Sequence, residues 1–206
     1  MRKIGLMGGT FDPIHLAHIE IARRAKEQYN LDEVIFMTSG NPPHKKGQNV
    51  TDARVRLEMV KLAIDGIDGF TASDYEVNKA EYSYSVNTLK WLHTEYPDTE
   101  IYFLIGEDSL DYIDKWYRPE EILDLCTVLV YPRISMETLK RTLIEKQSIL
   151  GGDIRIIDAP IYGVSSTQIR NVVNSGADAS ELLDGRVYEY IRHNNVYGSG
   201  INEGQA

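Results

Sequence analysis

The sequence predicts an α/β fold, an open parallel sheet with helices packed on both of its faces. Three observations carry that expectation. First, Ile4 to Met7 is a short apolar run stopped by Gly8 and Gly9, and a periodic stretch from Leu16 to Tyr29 follows it. A brief apolar run ended by glycines reads as a buried strand, and apolar residues at helical spacing read as a helix packed on it. Second, Glu33 to Thr38 (EVIFMT) is apolar enough for a central strand covered on both faces. Strand, helix, strand in this order make a right-handed βαβ unit. Third, the alternation continues to residue 194, with no repeat and no linker-like composition.

The remaining elements follow in order. Thr51 or Asp52 can cap a helix whose apolar positions are Val55, Met59, Ala63 and Ile67. Phe70 to Val77 reads as a strand, and a helix opens within Tyr82 to Leu89 and runs to about Tyr96. Glu100 to Ile105 is the next strand, and Pro119 suits the first position of another helix. Thr127 to Tyr131 reads as a strand, Met136 to Leu150 as an amphipathic helix and Ile154 to Ile157 as the last strand. A hydroxyl-capped helix starts near Ser165, and Val187 to Asn194 closes the chain. Residues 1–195 are expected to form a single domain, and 196–206 a flexible tail rich in glycine and polar residues.

Composition excludes several classes. A hydrophobic fraction of 42% and a charged fraction of 26% are ordinary for a globular chain. The formal net charge of −9 argues against a nucleic-acid binder, which carries a basic face. It also means that any polyanionic ligand must meet positive charge concentrated locally. No apolar stretch approaches the roughly 20 residues that cross a bilayer, and the run after Arg2 and Lys3 is too short for a signal peptide. The single Cys126 excludes an internal disulfide and fits a reducing compartment. A cytoplasmic protein with no membrane partner is expected.

The chemistry concentrates in two stretches. Gly8-Gly9-Thr10-Phe11-Asp12-Pro13-Ile14-His15-Leu16-Ala17-His18 joins the first strand to the first helix. Glycines let a ligand approach the main chain closely, and amides at a helix N-terminus suit phosphate. His15 and His18, three apart, project from one side of a helical turn, where two imidazoles can donate to phosphate oxygens. Protonation is expected to strengthen both contacts. The glycine order matches neither the dinucleotide fingerprint nor the P-loop, and a His-x-x-His pair lacks a third metal ligand nearby. The second stretch, Val164-Ser165-Ser166-Thr167-Gln168-Ile169-Arg170, offers hydroxyl caps, amide donors and a fixed cation one turn in. Either stretch alone reads as an ordinary turn or a capped helix.

Together the two stretches resemble the signatures of the HxGH nucleotidyltransferase superfamily, which has a Rossmann-like fold. The usual glycine between the histidines is Ala17 here. Ser39-Gly40-Asn41-Pro42-Pro43-His44-Lys45-Lys46, the Arg56-x-x-Met59 spacing, Tyr82-Ser83-Tyr84-Ser85-Val86-Asn87-Thr88-Leu89 and Lys115-Trp116-Tyr117 resemble a narrower branch, the bacterial nicotinate mononucleotide adenylyltransferases. That resemblance implies adenylyl transfer from ATP to nicotinate mononucleotide, giving deamido-NAD and pyrophosphate. It implies catalytic roles for His15, His18 and Arg170. It places Gly8, Gly9, Thr10, Phe11, Lys45, Gly106, Asp108, Ser165 and Ser166 on ATP. Asn41, His44, Arg56, Ser85, Tyr112 and Trp116 fall to the acceptor, with Trp116 stacking on the pyridine ring. Mg2+ is expected to travel with ATP rather than in a protein cage. A homo-oligomer is compatible with the sequence.

The chain departs from the branch at several points. Asn87 stands for an aspartate, Glu107 for a smaller residue within Gly106-Glu107-Asp108, and Pro132-Arg133-Ile134 for Arg-Pro-Gly, so no nucleotide role is carried onto Glu107 or Arg133. Phosphopantetheine adenylyltransferase shares the first motif but lacks the Pro-Pro-His-Lys loop and the Trp pocket. A regulator without catalysis would be expected to lose the histidines or Arg170, and a dehydrogenase would need the missing glycine fingerprint. Composition does not separate nicotinate from nicotinamide as acceptor.

Overall fold

The computed structural model describes residues 1–43, 47 and 49–198. Six parallel strands form one sheet in the order β3-β2-β1-β4-β5-β6. They are β1 (Arg2–Gly9), β2 (Glu33–Thr38), β3 (Phe70–Ser73), β4 (Thr99–Gly106), β5 (Thr127–Tyr131) and β6 (Ile154–Ile156). The helices are α1 (Leu16–Tyr29), α2 (Ala53–Ile64), α3 (Ser85–Glu95), α4 (Glu107–Leu110), α5 (Pro119–Leu125), α6 (Met136–Leu150), α7 (Ser166–Asn174) and α8 (Gly185–His193).

Alternation along the strands builds two cores. Met7, Val34, Phe36, Tyr102, Leu104 and Leu129 face α1, α2, α7 and α8. Their neighbours Leu6, Ile35, Met37, Phe103, Ile105, Val128 and Val130 face α3, α5 and α6. Successive residues of a strand point to opposite faces, so a strand covered on both sides is apolar at nearly every position between its ends. The helix starts follow their caps. Asp52 accepts the Arg54 and Val55 amides, Ser135 accepts Thr138 and Ser165 accepts Gln168, while Pro119 occupies the first turn of α5.

Two expectations are corrected. The strand expected over Phe70 to Val77 ends at Ser73, because β3 is an edge strand and its partner β2 ends at Thr38. Beyond it the chain turns so that the Glu76 carbonyl packs on Gly40, where a Cβ would stand only 2.1 Å from that oxygen. The tail expected from residue 196 instead begins as a 3-10 turn over Val196–Gly198, and the Tyr197 hydroxyl reaches back to Asp12.

Strand order reverses direction at β1 and β4. The chain leaves β1 toward α1 on one face and leaves β4 toward α4 and α5 on the other. A crevice opens outside the carboxyl ends of two such strands, where ligands bind in open α/β sheets. Gly8 and Gly9 end β1, and Gly106 ends β4.

Candidate active site

The turn from Gly9 to His15 is built by packing and then held from outside. Phe11 adopts a positive φ of 49° and its ring lies against Gly9, where a Cβ would come within 2.8 Å of it. A side chain at position 9 is thereby excluded. The ring is 3% exposed and packs edge-on to His18 at 5.2 Å, so Phe11 shapes the turn from the core rather than offering a face to a ligand. Three carbonyls of the turn accept hydrogen bonds from distant segments. Arg56 Nη1 donates to Thr10 O at 2.6 Å, Arg170 Nη1 to Asp12 O at 2.6 Å, and Ser166 Oγ to Pro13 O at 2.8 Å. The Asp12 carboxylate accepts the Thr51 amide and the Tyr197 hydroxyl, at 3.2 and 2.7 Å.

This network joins the two motifs, more than 150 residues apart, into one site. It also corrects the expectation for Arg56. That side chain is 1% exposed, and its Nε donates to Thr51 O at 2.7 Å. With Nη1 on Thr10 as well, the guanidinium lies beneath the turn and braces it rather than facing an acceptor substrate. Burial lowers its pKa, opposed by the negative charge of Asp12. Arg170 shares its donors between Asp12 O and Thr167 Oγ1, and is only half-buried.

His15 caps α1 and His18 sits in its first turn, their rings stacked with centroids 3.7 Å apart. The His15 amide donates to His18 Nδ1 at 3.2 Å. That bond assigns the neutral His18 tautomer, with its proton on Nε2. Burial, and secondarily the charge of Arg133, pull His15 down to about 4. Burial, then His15 and Arg133, hold His18 well below 6.5. Both rings are therefore neutral at neutral pH in the free protein, so the strengthening expected from protonation is not in place there: a buried pair so close cannot readily gain charge beside a guanidinium.

Arg133 enters the site from the end of β5, lining a small cavity with His15, His18, Tyr131, Tyr162 and Val164. Its guanidinium lies over the Tyr131 ring at 5.3 Å, and its Nε stands 3.5 Å from Asp108 Oδ1. Sequence reasoning left this residue out because the Arg-Pro-Gly order was absent. The available signal was a cation placed just past the carboxyl end of a central strand. For Tyr197 there was no local signal.

Asp108 is exposed at the crevice, and Gly106 makes room for it: a Cβ there would sit 2.4 Å from Asp108 Oδ1. Gly8 and Thr10 lie at the same end of the sheet, at the close of β1. Ser165 caps α7 beside Ser166. On the other flank Asn41 and Ser83 bond mutually, Asn41 N to Ser83 Oγ at 3.3 Å and Ser83 N to Asn41 O at 3.0 Å. Ser85 opens α3 just beyond. Glu76 holds this flank from below, accepting the Thr88 hydroxyl at 2.5 Å, and burial raises its pKa. Tyr84 and Tyr117 approach to 4.9 Å, Tyr112 is 58% exposed, and the half-buried Trp116 lies 6.1 Å from Phe103. Tyr84 and Trp116 pack against the core on the α3 and α5 side of the sheet, an aromatic wall of the kind that suits a flat ring. His44 and Lys45 lie outside the described residues.

Among the described residues no group of three or more His, Cys, Asp or Glu side chains could hold a metal ion. Asp12 already has two donors, and the neutral histidines are poor partners for a hard cation. Among the same residues no helix is long and apolar enough to cross a membrane.

Residues 6–172 match the Cytidylyltransferase-like family model. A Clostridium botulinum (strain Loch Maree / Type A3) chain named "Probable nicotinate-nucleotide adenylyltransferase" is 42% identical over 195 residues, spanning 93% of this chain and 97% of that one. A chain of the same name from Clostridium kluyveri (strain ATCC 8527 / DSM 555 / NBRC 12016 / NCIMB 10680 / K1) is 42% identical over 205 residues, 96% of this chain and 100% of that one. Among solved structures, Plasmodium falciparum nicotinic acid mononucleotide adenylyltransferase complexed with NaAD superposes with a TM-score of 0.80. It covers 97% of this chain and 99% of its own at 18% identity, a likeness of fold alone.

Proposed function

This chain belongs to the nicotinate-nucleotide adenylyltransferase family, and from that premise we propose how its residues transfer the adenylyl group of ATP to nicotinate mononucleotide, a step of NAD biosynthesis. The observation that carries the assignment of roles is the joining of the two motifs. Ser166 and Arg170 are bonded to the carbonyls of Pro13 and Asp12, beside the stacked histidines and at the reversal of strand order.

The acceptor phosphate is anionic near neutral pH, so its oxygen attacks the α-phosphorus without a general base. The bond to the bridging oxygen of the leaving group breaks as the new one forms, and pyrophosphate departs with both electrons. Catalysis then rests on alignment and on charge stabilisation. His18 supplies its Nε2–H to a phosphate oxygen, because its Nδ1 is engaged by the His15 amide. His15 stands beside it as a second neutral group, and the arriving triphosphate raises the pKa of both rings by offsetting Arg133. Arg170 adds a fixed cation at the mouth of α7, and Gly8, Gly9, Thr10, Ser165 and Ser166 line the phosphate region. Asp108 accepts from the ribose hydroxyls at the end of β4.

The acceptor's pyridine ring stacks on Trp116 within the aromatic wall, its carboxylate met by main-chain amides near Ser85 and Tyr112. Lys45 and His44 are assigned to the phosphate and the acceptor by the sequence resemblance alone. Magnesium carried with ATP would neutralise charge on the triphosphate, and no protein cage is needed for that. The deciding experiment is pyrophosphate release from ATP and magnesium, with nicotinate mononucleotide, nicotinamide mononucleotide and phosphopantetheine offered in parallel. Preference for the first supports the assignment; turnover with another acceptor alone keeps the transfer and discards the acceptor.

A further inference from the structure

Glu107 is the most deeply buried carboxylate among the described residues, 1% exposed at the start of α4. Its Oε2 accepts two amide hydrogens from the turn after β5, Arg133 N at 2.7 Å and Ile134 N at 2.8 Å. Its Oε1 is buried with no hydrogen-bond partner among the described residues. A carboxylate sunk this far with one oxygen lacking a hydrogen bond lowers the stability of the fold.

What it positions is Arg133. The guanidinium is trapped between the Tyr131 ring, the Tyr131 hydroxyl at 3.3 Å from Nη2, and Asp108. Its Nε is also buried without a hydrogen-bond partner among the described residues. That Nε is ion-paired with Asp108 all the same, and the guanidinium lines the cavity of two neutral histidines, where a more strongly charged anion can claim the donor.

We propose that Glu107 is a positioning residue of the nucleotide site: by accepting the Arg133 and Ile134 amides it sets the turn after β5, so that the Arg133 guanidinium stands beside His15 and His18 and binds the triphosphate. This rests on the adenylyl-transfer reading and deepens it. The carboxylate acts through Arg133, so the two residues form one device and their effects on nucleotide binding overlap.

The test is steady-state pyrophosphate release by the full chain, wild type against Arg133→Ala, Glu107→Ala, Glu107→Gln and the Glu107→Ala/Arg133→Ala pair, with thermal unfolding of each. Arg133→Ala raises KM for ATP by about tenfold or more, while KM for nicotinate mononucleotide changes by less than about twofold. Glu107→Ala does the same, and Glu107→Gln, whose carbonyl can still accept both amides, does so less. The pair is no worse than Arg133→Ala alone. An unchanged KM for ATP in Arg133→Ala overturns the proposal, as does a Glu107→Ala effect that persists undiminished in the Arg133→Ala background. If Glu107→Ala fails to fold, Glu107→Gln takes its place in the same cycle, and an effect that is additive with Arg133→Ala again overturns it. A wild-type protein with no turnover defeats the adenylyl-transfer reading itself, which is a separate result.

Discussion

Acidifying the protein drives a proton onto an imidazole that the fold keeps neutral, and the cost can be worked from His15. Its pKa falls from 6.5 unfolded to about 4 folded, through burial first and the Arg133 charge second. At about 1.36 kcal/mol per unit, that shift of roughly two and a half units corresponds to about 3 kcal/mol. The side chain is 4% exposed, so solvent screening takes little from it. Because the folded value lies below the unfolded one, the unfolded chain binds more protons between them, and stability rises with pH there. The contribution is fully present above about pH 6.5 and is lost as the pH falls through about 4. His15→Asn removes the titration while keeping a good helix cap at the start of α1. Urea unfolding of both proteins, from about pH 7.5 to about pH 4, should show the wild type losing about 3 kcal/mol more than the variant. Carboxylates titrate in both proteins and cancel in the difference. Removing His15 also relieves His18, which flattens the variant's profile further. Parallel profiles would refute the reasoning and return His15 to an ordinary pKa.

Four further outcomes follow from the same contacts. His18→Ala should keep its thermal transition while kcat falls by about a hundredfold or more, as expected for a lost donor to transition-state charge; unimpaired turnover removes that role. Tyr197→Phe deletes a 2.7 Å hydrogen bond to a buried carboxylate, costing about 1.5–3 kcal/mol and lowering Tm by roughly 3–10 °C in calorimetry. Gly40→Ala would place a methyl 2.1 Å from the Glu76 carbonyl oxygen, which must displace the loop carrying Asn41. A loss of about 1–3 kcal/mol and a raised KM for the acceptor are expected by denaturation and kinetics. Chelation by EDTA should stop pyrophosphate release, restored by magnesium, without moving the Tm of the free protein; a drop in Tm would reveal a protein-held ion.

The sheet was legible because each of its inner strands is covered on both faces. A central strand is a near-continuous apolar run, and EVIFMT and TVLVY, polar only at their ends, say so without help from the rest of the chain. Helix starts were legible for a similar local reason: Asp52, Ser135 and Ser165 satisfy amides within their own first turns. The edge strand was misjudged, since its end is decided by where β2 stops and by the close packing of Gly40 on Glu76.

The site divides along the same line. A ligand that binds main-chain amides demands glycines, hydroxyls and histidines in a fixed local order, and that order is what the two motifs present. The groups that hold those motifs in register obey no local order. Asp12 meets Tyr197 across 185 residues, and Glu107 meets the Arg133 amide across 26. A guanidinium is equally able to hold a phosphate or a carbonyl, so sequence put Arg56 on the acceptor and left Arg133 out, whereas three dimensions place the first under the turn and the second in the cavity. The positioning residues are therefore the part of this site least visible in sequence. Substitutions at them test the structure most directly, because the local motifs alone predict no effect there.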